Sequence, residues 1–385
     1  MVCRRVAFVV VTILLLASLV PLAHAIEEQL KPVEEEARDW LGLMKFAESL
    51  HATTKGMKYW YECCGMGKYV GVPYEALFCK KCHATCESCH AVKDENGNVV
   101  DFSISVAKDR NTCLKCHGRQ AKAIALGQKN PEWADVHLIG LGVNCVYCHS
   151  GKEVHGMHGK FNYMFEGKGV FEISCEKCHI EKRIGPPVIK TIPEHEQHLD
   201  DIGCSACHSP TTVTCYNCHL SYAYETYKRQ GKPVKKVIPI TGWMLLVKDK
   251  RTGKIVPGNI MVLVWTGKDV EAVRVDIAQM FPHIVTTKAR HCEDCHATAN
   301  VKELLEKREL RLVWIENGEV KHLNGIIPIV EGTKLVLQTF AWDPQAGKLK
   351  PYKVVTVNVD DTLIENTAAL TWKELEKLAK PQQST

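Results

Sequence analysis

The sequence predicts short helices and loops wrapped around apolar groups that the chain does not itself supply, followed by a β-rich C-terminal module. Three observations predict this. One pentapeptide, Cys-x-x-Cys-His, occurs eight times and takes sixteen of the 19 cysteines. Seven copies fall within residues 79–219, about 20 residues apiece, which is too few to build a conventional side-chain core around each. Beyond residue 233 the pattern turns to apolar runs of strand type separated by turn residues.

The bulk properties narrow the class. The chain has 385 residues, 45% apolar and 24% charged, which excludes disorder and fibrous repeats. Its length suggests two or three domains. A net charge of +5 without a dense Lys/Arg block gives no nucleic-acid footprint, so no nucleic-acid partner is expected.

Residues 1–25 read as an export signal: Arg4 and Arg5, an apolar run from Val6 to Val20, and Ala23-His24-Ala25 as a small-x-small cleavage site. The run is 15 residues long, short of the roughly 20 that a spanning helix needs. The mature chain is expected to begin near Ile26, without an integral membrane span. That places it in the periplasm, at the cell surface or outside the cell.

The first four copies of the motif are Cys79 and Cys82 with His83, Cys86 and Cys89 with His90, Cys113 and Cys116 with His117, and Cys145 and Cys148 with His149. The other four are Cys175 and Cys178 with His179, Cys204 and Cys207 with His208, Cys215 and Cys218 with His219, and Cys292 and Cys295 with His296. Such spacing attaches c-type haem: both thiols form thioethers to one macrocycle, and the adjacent histidine ligates its iron. A zinc site would not place His directly after the second Cys in every copy. A disulfide framework would explain the cysteines but not the histidines. The expected cofactor is therefore haem c (heme c), eight per chain and covalently bound.

Distal ligands follow by subtraction. Of 18 histidines, eight belong to motifs and His24 leaves with the signal. His51, His137, His155, His158, His195, His198, His283, His291 and His322 remain for eight irons. The expectation takes the first eight of these as ligands. His291, abutting Cys292, is the awkward member, and His322, in a hairpin, the bystander. His137 lies eight residues before Cys145, and His195 and His283 each lie nine before Cys204 and Cys292. That offset suits a segment that holds one haem and reaches a neighbour.

Cys63 and Cys64 stand outside the motifs. They read as buried thiols or a vicinal disulfide, as a thiolate beside a haem, or as one end of a widely spaced attachment pair, since Cys64 precedes Cys82 by 18 positions.

Around the motifs, the expected organisation is a helical segment over 26–78, a seven-haem core over 79–232, a β-rich insertion over 233–290, an eighth haem segment over 291–308, and a β module with a closing helix over 309–385. The helix at 26–62 rests on the apolar face of Trp40, Leu41, Leu43, Met44, Ala47 and Leu50. Strands rest on Val237-Ile-Pro-Ile, Trp243-Met-Leu-Leu-Val, Ile260-Met-Val-Leu-Val-Trp, Leu312-Val-Trp-Ile, Lys334-Leu-Val-Leu and Val354-Val-Thr-Val. Turns are read at Arg251-Thr-Gly-Lys, Thr266-Gly-Lys-Asp and Glu316-Asn-Gly-Glu, helices at Val301–Arg308 and Trp372–Ala379.

On its motifs the chain resembles octahaem c-type cytochromes, the broad multihaem group that includes hydroxylamine oxidoreductase and the octahaem tetrathionate and nitrite reductases. The paired Cys204-Ser-Ala-Cys-His and Cys215-Tyr-Asn-Cys-His, and Gly142-Val-Asn-Cys-Val-Tyr-Cys-His, carry that resemblance over residues 79–300. The long-gap pairing of Cys64 resembles the octahaem sulfite reductases. Two departures stand: every motif ends in His, with no lysine variant, and a long β region separates the seventh motif from the eighth. Exported electron-transfer cytochromes, including those that polymerise into filaments, are similar to an equal degree. The leading expectation is thus a chain of closely spaced, mostly bis-His haems that carries electrons to redox partner proteins or extracellular acceptors. The alternatives are a multi-electron reductase of nitrogen or sulfur compounds at one open haem, and a self-assembling filament subunit. No catalytic residue is assigned.

Overall fold

The computed structural model describes residues 44–64, 73–76, 83–167, 170–171, 173–182, 184–185, 188, 190–213, 243–266, 271–317, 319–343, 345–346 and 348–381. The export signal lies outside them, as do the strand expected at Val237 and the turn residues 267–270. Two attachment pairs expected from the sequence also lie outside the described residues. These are Cys79 and Cys82 of the first motif, and Cys215 and Cys218 of the seventh, together with the seventh motif's His219. The architecture is mixed helix and sheet. Among the described residues no helix is long and apolar enough to cross a membrane.

The N-terminal half is built of short pieces. Ser49 caps the helix Leu50–Thr53, and Thr54, at φ 55°, ends it in the left-handed region. A second helix, Lys55–Tyr59, runs into a wide turn over Trp60–Cys64. The single helix read from the apolar face of this region is therefore interrupted, because Thr54 takes a backbone conformation that no helix continues through. The longest helix among the described residues of this half is Gly118–Lys129, which buries Ala123, Ile124 and Gly127. A hairpin pairs β1 (Ala91–Lys93) with β2 (Val99–Phe102).

The C-terminal half holds the side-chain core. One sheet contains β3 (Trp243–Asp249), β4 (Ile255–Thr266) and β5 (Glu271–Gln279), in antiparallel sequence. The second contains β6 (Glu309–Glu316), β7 (Glu319–His322), β9 (Lys334–Asp343) and β10 (Lys348–Asn358) in the order β10-β9-β6-β7. β8 (Gly325–Pro328) pairs in parallel with β3, and β11 (Thr367–Ala368) joins the far end of β3.

Met244, Leu245, Leu246 and Val247 are all buried, so β3 is covered on both faces, as its unbroken apolar run requires. Gly258 of β4 sits opposite Leu245, where a Cβ would come within 2.9 Å of Val247 Cγ1. The close approach of the two strands therefore needs glycine.

Residues 243–279 and 309–378 share one hydrophobic cluster, so the two β stretches divided in the sequence by the last Cys-x-x-Cys-His copy form a single module. Two helices seal it. Thr298 caps Ala299–Lys307, which buries Val301 and Leu304. Thr371 and Glu374 form a capping box on Trp372–Ala379, which buries Leu375 and Leu378. The module also reaches the motif segments: Ala206 joins the cluster, Gly203 N–H donates to Ile255 O at 2.9 Å, and Lys254 pairs with Glu176 at 3.0 Å.

Candidate functional site

Motif cysteines start short helices: Cys86–His90 behind a Thr85 capping box, Cys145–Cys148 behind Asn144, Cys204–His208, and Cys292–Cys295 behind His291. One helical turn places the two thiols of a motif on one side. Successive motifs meet through these thiols. Cys113 hydrogen-bonds Cys145, and Cys175 hydrogen-bonds Cys204. Cys89 lies near Cys116, Cys148 near Cys178, and Cys207 near Cys292 and Cys295. Six motifs therefore stand in one file in sequence order, and burial among them pushes the Cys295 thiol up to about 12. The seventh motif, with Cys215 and Cys218, is not among the described residues and takes no part in this geometry.

Six motif histidines each face a histidine from elsewhere in the chain. The ring centres are 6.2 Å apart in His90–His155, 6.0 Å in His117–His51, 6.2 Å in His149–His283, 6.0 Å in His179–His137, 6.3 Å in His208–His195 and 6.1 Å in His296–His198. Two imidazoles on opposite sides of one metal, each nitrogen about 2.0 Å from it, hold their ring centres about 6.3 Å apart, whereas a tetrahedral metal holds them about 5 Å apart. The spacing therefore fits a trans pair with one metal between. No cluster of three or more His, Cys, Asp or Glu suited to hold a bare metal occurs among the described residues.

The electrostatics suit the same reading. Burial lowers the His117 and His283 imidazoles to about 4 and moves His51, His155 and His198 downward. These rings stay neutral, the form that ligates metal.

Four of the six facing histidines are placed by contacts around Asp135 and by the helix Pro193–His198. Asp135 caps the turn Val136–Gly140 by accepting from His137 N–H and Leu138 N–H, and its other oxygen accepts from Val285 N–H at 2.7 Å. One buried carboxylate thus sets both His137 and, two residues from Val285, His283. Arg110 donates to the carbonyls of Leu138, Gly142 and Val143, pinning the loop between His137 and the next motif. His195 and His198 share the helix Pro193–His198 at a spacing that puts both on one face, and each serves a different motif.

On the motif side, His208 Nδ1 meets Thr286 O at 3.1 Å, His296 Nδ1 meets Lys380 O at 3.2 Å, and His149 Nδ1 meets Glu153 Oε1 at 2.5 Å. Arg290 donates to Ser209 O and Pro210 O, holding the eighth motif against the sixth.

The upstream offset has no uniform meaning. His195 faces the motif that follows it, but His137 faces His179 and His283 faces His149. His291 caps the helix of its own motif and makes no histidine ring pair among the described residues. His322 lies in β7 with Nδ1 against Leu323 O. His158 is partly buried in the turn that follows the fourth motif, and His83 is exposed. Cys63 is exposed and disulfide-bonded, which removes the free-thiolate reading for its sulfur.

Asp135, Arg110, Glu153 and Arg290 escaped the sequence reading. Glu153 alone had a legible signal, four residues after His149 on a helical turn. Comparison of the chain with protein-family models, curated proteins and solved structures finds no match.

Proposed function

We propose that this chain is an exported electron-transfer protein that binds eight haem c groups and passes electrons along them. The six opposed histidine pairs at 6.0–6.3 Å carry this reading. In it the motif cysteines anchor each group, the motif histidine ligates one side, and His51, His137, His155, His195, His198 and His283 ligate the other. The bound group supplies reversible one-electron iron chemistry, at a potential set by its axial ligands and surroundings.

The chain's own residues do the rest. Burial keeps the His51, His117, His155, His198 and His283 imidazoles neutral, hydrogen bonds at Nδ1 orient the rings of His149, His208 and His296, and the close approach of successive motifs would hold neighbouring groups close. At the six motifs with an opposed histidine pair, a bound group would be held on both sides and leave small molecules no place to bind, which favours a carrier over a catalyst. The reductase reading keeps one observation: His83 is exposed and has no imidazole against it among the described residues.

Intact mass of the exported protein tests the proposal. The expected mass is the polypeptide from near Ile26 plus eight haems, and a mature protein short of eight overturns it. An electron paramagnetic resonance spectrum of the oxidised protein then separates the readings, since a high-spin signal marks an open iron.

A further inference from the structure

We propose that Glu153 is a positioning residue that makes the haem of Cys145, Cys148 and His149 the lowest-potential member of the chain. This rests on the haem reading above and goes beyond it, because it assigns one step of the file a distinct energy from a residue that is neither anchor nor ligand.

The contact is unlike the others. Glu153 Oε1 lies 2.5 Å from His149 Nδ1, with the carboxylate side chain only 7% exposed. Its second oxygen, Oε2, is buried and makes no hydrogen bond, so His149 is the carboxylate's one polar partner among the described residues. Elsewhere the Nδ1 groups of motif histidines that have a partner face neutral carbonyls, Thr286 O for His208 and Lys380 O for His296. Asp135 Oδ1 stands 3.8 Å from His137 Nδ1, beyond hydrogen-bond reach.

The local sequence explains the arrangement. Ser150 caps the helix Gly151–Val154 by accepting from Glu153 N–H, which fixes Glu153 one turn beyond His149. Phe171 meets the His149 ring edge-on at 5.8 Å, and Phe165 and Phe281 pack against Phe171, so aromatic rings flank one side of the pair. Arg119 acts on His283 and His117, and among the described residues Glu153 makes no ion pair except that with His149.

A carboxylate that accepts the Nδ1 proton makes the other ring nitrogen a stronger donor. A stronger donor and a buried negative charge both favour the iron with one electron fewer, lowering the reduction potential. The exchange is of one electron with a neighbouring haem. The proton stays between His149 and Glu153 in both states, so no further reactant is needed. With Cys113 touching Cys145 on one side and Cys148 near Cys178 on the other, this haem is internal to the file. Its low potential makes it an uphill step midway along the path.

The test is a spectroelectrochemical titration of the full, haem-loaded protein and of Glu153→Gln, after intact mass has confirmed eight haems in each. The wild-type titration is expected to contain one component separated on the low side. In Glu153→Gln, which keeps the shape and removes the charge, that component should rise by at least tenfold in its one-electron equilibrium constant, about 59 mV, while the rest stay put. Glu153→Asp should recover part of the shift. A wild-type titration with no separate low component overturns the proposal even if no variant matures. So does a Glu153→Gln protein with eight haems in which no component moves, or in which all move together. A missing haem complement overturns the underlying reading instead.

Discussion

Replacing His283 with alanine probes the ligand pairing most directly. In the native chain its ring centre stands 6.2 Å from that of His149, at an interplanar angle of 24°. Neither chain neighbour, Pro282 or Ile284, carries a ligating atom that could replace the lost imidazole. One iron in eight should then lose its sixth ligand and turn high-spin, about 12% of the total. Electron paramagnetic resonance of the oxidised protein, integrated against total iron, reads that fraction. The lost packing of a partly buried ring should cost about 1–3 kcal/mol of stability, measured by thermal denaturation. His283→Met restores a weaker donor, so it should return the spectrum to low spin with a raised potential at one haem. His322→Ala is the control and should change neither reading, because that ring sits in β7 against Leu323 O. If His283→Ala and His137→Ala both retain eight haems and show no high-spin signal, the pairing argument fails.

Further outcomes are expected. Gly127→Ala brings a Cβ within 2.7 Å of Ile139 Cδ1 and 2.9 Å of Trp133 O, so it should displace the turn that carries His137 and give partial high-spin signal at one haem. Glu365 is held up at about 7 by burial, against the opposing pull of Trp60 and Arg251, from an ordinary 4.5. An acid raised in the folded state binds more protons folded than unfolded, so stability should fall by about 3 kcal/mol as pH rises through that interval. Denaturant titrations should show Glu365→Gln flattening this slope. Leu375→Ala, at a fully buried position of the closing helix, should lower stability by about 2–5 kcal/mol while leaving the haem count at eight. Purified protein should exchange electrons with small redox mediators yet turn over nitrite, hydroxylamine, sulfite and tetrathionate slowly or not at all; rapid turnover of any one supports the enzyme reading instead.

The chemistry proposed for the repeated motif is legible in the chain alone, because haem attachment needs two thiols and an imidazole within five consecutive residues. For the seventh copy, Cys215 and Cys218 with His219, that spacing is the whole of the case. Much of the β module was legible too: the apolar run Trp243-Met-Leu-Leu-Val marked a strand, and Trp372–Ala379 read as the closing helix that the structure contains. The pairing of the histidines was not. His137 and His283 each precede a motif by a similar interval, yet both face motifs elsewhere in the chain, because Asp135 ties their two segments together across 150 residues. Nor did any local pattern show that strands on either side of the eighth motif share one core. Local spacing fixes what a covalent motif or a helix cap can do, since those interactions span a few residues. Which imidazoles stand opposite one another is set by long-range backbone hydrogen bonds and packing, which only the folded chain brings together.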